Sequence, residues 1–251
     1  MEENVRVIDR AFDILEVLAA SNTPMGLSEI CRATGMSKST VYRLISTMHN
    51  RHYVEKNPDN TYSIGYKLIE TVSMHINHLD LLTEARPCLN DIMHTLGLTA
   101  HLGILDGCDV IYLEKTDLYA SNRQYTEIGY RSPAYCSSMG KCLLACLSRE
   151  ELEEAMQNCT FQKYTPNTIT DFLEFRRYLK VVRHQGWAMD NQEYQLGHRC
   201  IGAPVYDYRG AAIAAISASG STIQIPDDRI ESVEKYVRKT AETLSRRLGY
   251  T

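Results

Sequence analysis

The sequence lacks any segment suited to crossing or leaving through a membrane. No apolar run approaches the ~20 residues that a spanning helix needs. The start, MEENVRVIDR, is charged and has no apolar core of the kind a secretory leader carries, so a cytoplasmic protein with no membrane partner is expected. Low-complexity tracts and repeats at solenoid periods are missing too, which excludes linker-like and stacked-repeat architectures. The eight cysteines, at 31, 88, 108, 136, 142, 146, 159 and 200, include no Cys-x-x-Cys pair. Cys142 and Cys146, four apart on an expected helix with Cys136 upstream, are the nearest approach to a metal set. No histidine follows at ligand spacing, so neither a metal nor any other cofactor is expected and the thiols read mostly as buried fillers. A strong charge excess is also absent, since the net charge is only −4.

What is present is enough for two modest domains: 251 residues of ordinary apolar and charged content. Residues 5–20 predict a helix, with Ile8, Phe12, Leu15 and Leu18 inward and Ala11 and Ala19 beside them. SNTPMG breaks it. A second helix over 27–34 buries Leu27, Ile30, Cys31 and Thr34 and ends at Gly35, a left-handed cap. Ser37 then caps a third helix, 38–50, whose inner stripe is Val41, Leu44, Ile45 and Met48. Tyr53-Val54 and Tyr62–Ile64 read as two strands around the turn Pro58-Asp59-Asn60. Three helices followed by a small hairpin are the order of a winged helix-turn-helix, expected over residues 1–65.

Charge segregates inside this segment. From Arg32 to Lys56 five basic side chains (Arg32, Lys38, Arg43, Arg51, Lys56) are opposed only by Glu55. The inner stripe of helix 38–50 leaves Ser39, Tyr42, Arg43 and Ser46 outward, with Ser37, Lys38 and Thr40 in the first turn. Hydroxyls and helix N-terminal amides suit phosphates. Arg43 has the reach and the fork to read a guanine. Lys56 and Asn57 on the wing could meet a neighbouring phosphate or the minor groove. The plainer alternative is a solvated helix face; the turn, the wing and the basic stripe together favour a double-stranded DNA partner.

Beyond residue 65 a linker helix, 66–82, carries Leu68, Ile69, Val72, Ile76 and Leu79 on one side, and a further helix spans about 83–96. Strands are expected at 99–105 and 110–115 around Asp106-Gly107, and at 200–206 and 211–218 around Asp207–Gly210. Helices at 137–147, 149–158 and 171–185 lie between them. A closing amphipathic helix opens at Pro226-Asp227, with Ile230, Val233, Val237, Ala241, Leu244 and Leu248 inward. Strand hairpins at both ends with helices between predict an α+β domain, residues 83–251, on an antiparallel sheet.

Polar groups that could converge in this domain are Ser137, Ser138, Asp190, Cys200, Ser217 and Ser219, with His101 and His198 more distant. Ser217 and Ser219 alternate on one strand and share a face. Ser138–Lys141 would open a helix whose free N–H groups attract an anion, so a small carboxylate is a sensible ligand. Each of these residues also has a plain structural use: serines in AAIAAISASG permit close helix packing, Cys200 fills space, and Lys141 reads as structural or surface. A rival function is a cysteine-dependent hydrolase-like enzyme using Cys200 with His101 or His198, and a cysteine redox sensor is a third class. No local hydrolase signature supports the enzyme.

The stretch LSEICRATGMSKSTVYRLISTM resembles the DNA-binding domain of the isocitrate-lyase-regulator (IclR) family of bacterial transcription factors. HLGILDGCDVIYLEKTD (101–117), IGYRSPAYCSSMGKCLLA (128–145) and DNQEYQLGHRCIGAPVYDYRG (190–210) resemble that family's effector domain, in order and in register. The likeness is strongest to regulators of sugar-acid catabolism of the ketodeoxygluconate type. It implies a GAF/PAS-like effector domain and an effector pocket at Ser138, Met139, Asp190, Cys200, Ser217 and Ser219. It also implies a homo-oligomer, dimer or tetramer, acting as a repressor or, alternatively, as an activator. The chain departs from common family usage with Ser138 for Ala, Tyr130 for Arg, Gln192 for Glu and His198 for an apolar residue.

Overall fold

A computed structural model describes residues 5–76, 80–117 and 128–251, without the side chains of 72–76 and 80. The chain divides into two compact units, Met1–His78 and Leu79–Thr251. The division falls inside the 66–82 stretch. Of the apolar side expected there, Val72, Ile76 and Leu79 have side chains outside the described residues.

In the first unit, α1 (Arg6–Ala20), α2 (Leu27–Thr34) and α3 (Lys38–Asn50) enclose a core of Ile14, Leu18, Ile30, Val41, Ile45 and Met48, closed by Val54 and Tyr62. Glu29 bonds the Gly26 amide and Gly35 at φ 68° ends α2. Ser37 caps α3 by accepting the Thr40 amide at 3.4 Å. The wing is β2 (Val54–Lys56) paired antiparallel with β3 (Thr61–Ile64), and α4 (Tyr66–Ile76) follows. A two-residue strand, β1 (Met25–Gly26), joins β3 on its other edge, inside what the sequence presented only as a break.

One expectation fails in α1. Ile8 and Phe12 are 49% and 56% exposed rather than inward. The helix carries two adjacent apolar stripes. The one that meets α2 and α3 runs through Ala11, Ile14, Leu15 and Leu18, the i, i+3, i+4, i+7 set. Val5, Ile8 and Phe12 form the other and stay in solvent.

The second unit is built on a six-stranded, wholly antiparallel sheet in the order β6-β5-β4-β9-β8-β7. The strands are β4 (Thr99–Asp106), β5 (Asp109–Thr116), β6 (Arg131–Pro133), β7 (Ala188–Asn191), β8 (His198–Tyr206) and β9 (Ala212–Ser221). The two expected hairpins, β4–β5 and β8–β9, pair with each other through β4 and β9 and form the sheet's centre. The short edges β6 and β7 fall below what hydrophobic alternation can reveal.

Helices α5 (Asp80–Leu96) and α9 (Ile230–Arg247) pack on each other and on the sheet, and α6 (Ser138–Cys146) packs on the sheet and on α8 (Phe172–Gln185). α7 (Arg149–Met156) lies between α6 and α8 in the chain. Val233, Val237, Ala241 and Leu244 are the buried stripe of α9, with Ile230 and Leu248 at its margins. Among the described residues no helix is long and apolar enough to cross a membrane.

Candidate functional site

Strand register builds a cavity on the α6 side of the sheet. Asp190 on β7 stands opposite Cys200 on β8, Cys200 opposite Ser219 on β9, and Ser219 opposite Thr99 on β4. One row over, Gly202 stands opposite Ser217, Ser217 opposite His101, and His101 opposite Lys115. Residues two apart on a strand share a face, so both rows look the same way. All of them except Gly202 line one cavity. Gly202 is where the helix comes down: a Cβ there would lie 3.1 Å from the Ser138 backbone and 3.2 Å from the Met139 amide nitrogen. The first turn of α6 therefore rests on the sheet beside the two rows. Its N–H groups have no intrahelical acceptor, apart from that of Gly140, which reaches Ser137 Oγ at 3.4 Å.

Ser138, Asp190, Cys200, Ser217 and Ser219 thus come together as cavity-lining residues, with Ser137. Met139 does not contribute its side chain. That side chain is buried in the core, with Cε against Gly103, and Met139 is not among the residues lining the cavity. The sequence offered His101 and His198 only at the margin of the set and Tyr130 only as a departure from family usage, and it missed Thr99, Tyr112, Lys115 and Tyr194, which also line the cavity. His101 packs edge-on to Tyr112 at 5.2 Å, Tyr112 meets Tyr130, and the Tyr130 and Tyr194 hydroxyls bond at 2.7 Å. His101 and Lys115 share the face of Ser217 by register and could have been inferred once the sheet order was known. Tyr194 sits in the β7–β8 loop, where no periodicity points to it.

Burial sets the electrostatics of the cavity. Burial first, then Lys115 and His198, holds His101 down at about 3, and burial lowers His198 as well. Lys115 pairs with Asp117 at 3.0 Å. Burial raises Asp190 to about 7 against the pull of Lys141 and of the Glu193 and Tyr194 amides that its Oδ1 accepts. Behind the wall Lys141 is fully buried, which corrects the surface alternative for it. Its ammonium donates to the Met189 carbonyl at 2.9 Å and to the Glu193 carboxylate, and lies 5.0 Å from the Tyr178 ring centre.

A nucleophile-base pair is what the enzyme reading requires. Cys200 Sγ does lie 3.6 Å from His198 Nδ1. Yet burial, with Asp190 adding to it, raises the thiol well above its ordinary range, while His198 is lowered. Both effects keep the pair neutral, the opposite of thiolate activation. The buried Cys136 and Cys142 thiols donate to the Pro133 and Gly202 carbonyls, and the half-buried Cys146 meets the Tyr206 hydroxyl.

The first unit offers a separate surface. Lys38, Ser39, Tyr42 and Arg43 are exposed along α3, Tyr42 by 57%. Ser37 is exposed and Thr40 half-buried, and their hydroxyls bond each other at 2.9 Å within the cap. Lys56 is exposed at the end of β2. Among the described residues Lys38, Arg43 and Lys56 form no ion pair, so their charge is available to an external anion.

Comparison with known proteins agrees on both units. The IclR helix-turn-helix domain model matches residues 7–58, and the model of the bacterial transcriptional regulator IclR C-terminal domain matches residues 73–246. The chain is 32% identical to the HTH-type transcriptional regulator KdgR of Escherichia coli over 249 residues, 99% of this chain and 94% of that one. The crystal structure of the Thermotoga maritima IclR superposes with TM-score 0.84 at 31% identity, covering 98% of this chain and 100% of that one. An IclR homologue from Microbacterium hydrocarbonoxydans, solved with 4-hydroxybenzoate, has the same fold at TM-score 0.84 and 23% identity, covering 96% of this chain and 98% of that one.

Proposed function

This chain belongs to the IclR family of bacterial transcriptional regulators, and from that premise we propose that it is a repressor whose operator affinity is set by a small organic acid, a sugar acid or keto acid, bound in the cavity of the C-terminal unit. The observation that carries the reading is the pair of cross-strand rows holding Ser217 and Ser219 beside the first turn of α6. A helix N-terminus with converging hydroxyls holds a carboxylate without a cation. The 4-hydroxybenzoate bound in the homologue is itself a carboxylate. The effector residues of this proposal are Ser138, Asp190, Cys200, Ser217 and Ser219, with Met139 acting through its amide. The working parts are a DNA-binding head at 1–65, a connecting segment at 66–82 and a sensor at 83–251.

A thermal-shift screen of sugar acids and short keto acids tests this. A ligand at 100 times its Kd adds about 2.7 kcal/mol. The Ser217→Ala/Ser219→Ala variant is expected to lose both that shift and the effector response while keeping operator binding. A retained response places the effector elsewhere, and reporter output that rises only when effector and protein are both present identifies an activator instead.

For the head, the proposal places α3 in a major groove with Arg43 on a base edge and Ser37, Lys38, Ser39, Thr40, Tyr42 and Lys56 on backbone or neighbouring contacts. Arg43→Ala is expected to lose about 1–3 kcal/mol of discrimination between a selected operator and random duplex, with salt dependence kept. An unchanged preference removes Arg43 from base reading. The exposed Val5, Ile8 and Phe12 stripe of α1 supports self-association as a dimer or tetramer. Paired heads read half-sites about 34–36 Å apart, or a multiple of it.

A further inference from the structure

Charge around the cavity does not balance in the way an anion-binding site would ordinarily require. Among the described residues two ammonium groups lie at or behind its wall. Lys115 pairs with Asp117 and Lys141 with Glu193. Asp190 is the remaining carboxylate. It is 5% exposed, lines the cavity, and has backbone amides as its hydrogen-bond donors rather than either lysine. Two buried carboxylates, Asp190 and Glu193, therefore share the one lysine, Lys141. A carboxylate effector would put a further negative charge into the same low-dielectric space, and like charges there cannot all stay ionised.

We propose that an anionic effector enters this cavity together with one proton, which Asp190 takes up, so that the site selects monoanions over dianions. The inference rests on the carboxylate reading of the cavity given above and adds to it the residue that sets ligand charge. In its acid form Asp190 turns from a repelling charge into a hydrogen-bond donor.

Of the other groups facing Asp190, Glu193 is held by the Lys141 ammonium, and burial keeps the rest in their neutral forms. Tyr112 from β5, Cys136 from the turn before α6, Tyr178 from α8 and Cys200 from β8 are all raised by burial and stay neutral. His101 is held at about 3 and His198 is lowered. Asp190 itself, raised to about 7 chiefly by burial, titrates in the range where the proton matters. The sign follows. The free protein binds the proton below about pH 7 and releases it above, so a ligand that needs the acid form weakens as pH rises through that value.

The experiment is a thermal-shift and calorimetric titration of the full chain with pyruvate and gluconate as monoanions and malonate as dianion, at matched ionic strength. For the monoanions Kd is expected to rise about tenfold from pH 6 to pH 8. Runs in two buffers of different ionisation heat are expected to show close to one proton taken up at pH 8, and malonate is expected to bind more weakly than either monoanion. Asp190→Asn, which keeps the shape of the acid form, is expected to make Kd independent of pH. Pyruvate or gluconate binding with equal Kd at both pH values and no proton uptake overturns the proton-coupled proposal and leaves the carboxylate reading intact. No binding by any of the three acids at either pH overturns the carboxylate reading and this inference with it. Asp190→Asn binding that still weakens about tenfold from pH 6 to pH 8 moves the proton to another group and overturns its assignment to Asp190; should the variant fail to fold, equal wild-type Kd at both pH values still overturns the proposal.

Discussion

Lys141→Met is expected to destabilise the C-terminal unit by about 3–5 kcal/mol, the range for removing one partner of a buried ion pair. The ammonium is fully buried and holds three neighbours together: the Met189 carbonyl on β7, the Glu193 carboxylate in the β7–β8 loop, and the Tyr178 ring on α8. Methionine keeps the volume and loses every donor. Glu193 Oε2 already lacks a hydrogen-bond partner among the described residues, so removing the lysine leaves the buried carboxylate with no cation and only the long Asn191 amide contact, 3.4 Å from Oε1. The native pair is costly to desolvate and adds little net stability; the loss comes from the charge left behind. Replacing both residues, Lys141→Met with Glu193→Leu, is therefore expected to recover most of the loss. Denaturant midpoints of the C-terminal unit measure both variants. A single-mutant loss under about 1 kcal/mol would mean that Glu193 reaches water or a proton at little cost, contrary to the fold described above.

Gly140→Ala is expected to be nearly as damaging, and in the opposite direction to helix propensity. Inside a helix alanine is ordinarily favoured over glycine by about 1 kcal/mol. Here a Cβ would stand 2.3 Å from Ala134 Cα and 2.4 Å from the Ala134 carbonyl oxygen, both backbone atoms that cannot swing aside. The first turn of α6 would have to lift off the turn that precedes it. Overpacking of this kind typically costs about 1–3 kcal/mol or more. The same movement displaces Ser137 and Ser138 from the cavity. Loss of effector response together with a lowered unfolding midpoint is the expected result, while operator binding by the first unit persists. A variant that keeps both midpoint and response would show that α6 can shift without disturbing the cavity.

The helices were legible because their signals are local. Ser37 before α3, Gly35 after α2 and the 3.6-residue apolar stripes act within one or two turns of chain. Their boundaries in the first unit were read nearly to the residue. The α1 stripe shows the limit. Periodicity marked apolar positions correctly but could not choose between two adjacent faces, because which face is buried depends on where α2 and α3 lie. The serine alternation on β9 likewise identified Ser217 and Ser219 as sharing one face, since strand period is intrinsic to the backbone. The motif likeness placed Asp190 and Cys200 with them.

By itself, then, the sequence determined the helices and the two central hairpins, the winged head with its basic face, and the family, and it offered a set of residues most of which the structure gathers on one cavity. Each of these depends on spacing along the chain or on motif order. Tertiary structure alone decided what those residues are to one another. Sheet order aligned Asp190, Cys200, Ser219 and Thr99 in one row, and Ser217, His101 and Lys115 in the next. The approach of α6 at Gly202 put the Met139 side chain in the core. Burial converted Lys141 from one more basic residue into half of an internal ion pair, and Asp190 into a carboxylate whose hydrogen-bond donors, among the described residues, are backbone amides. Solvation is set by the elements that close over a group, many of them remote in sequence, so no local pattern around Lys141 or Asp190 encodes it.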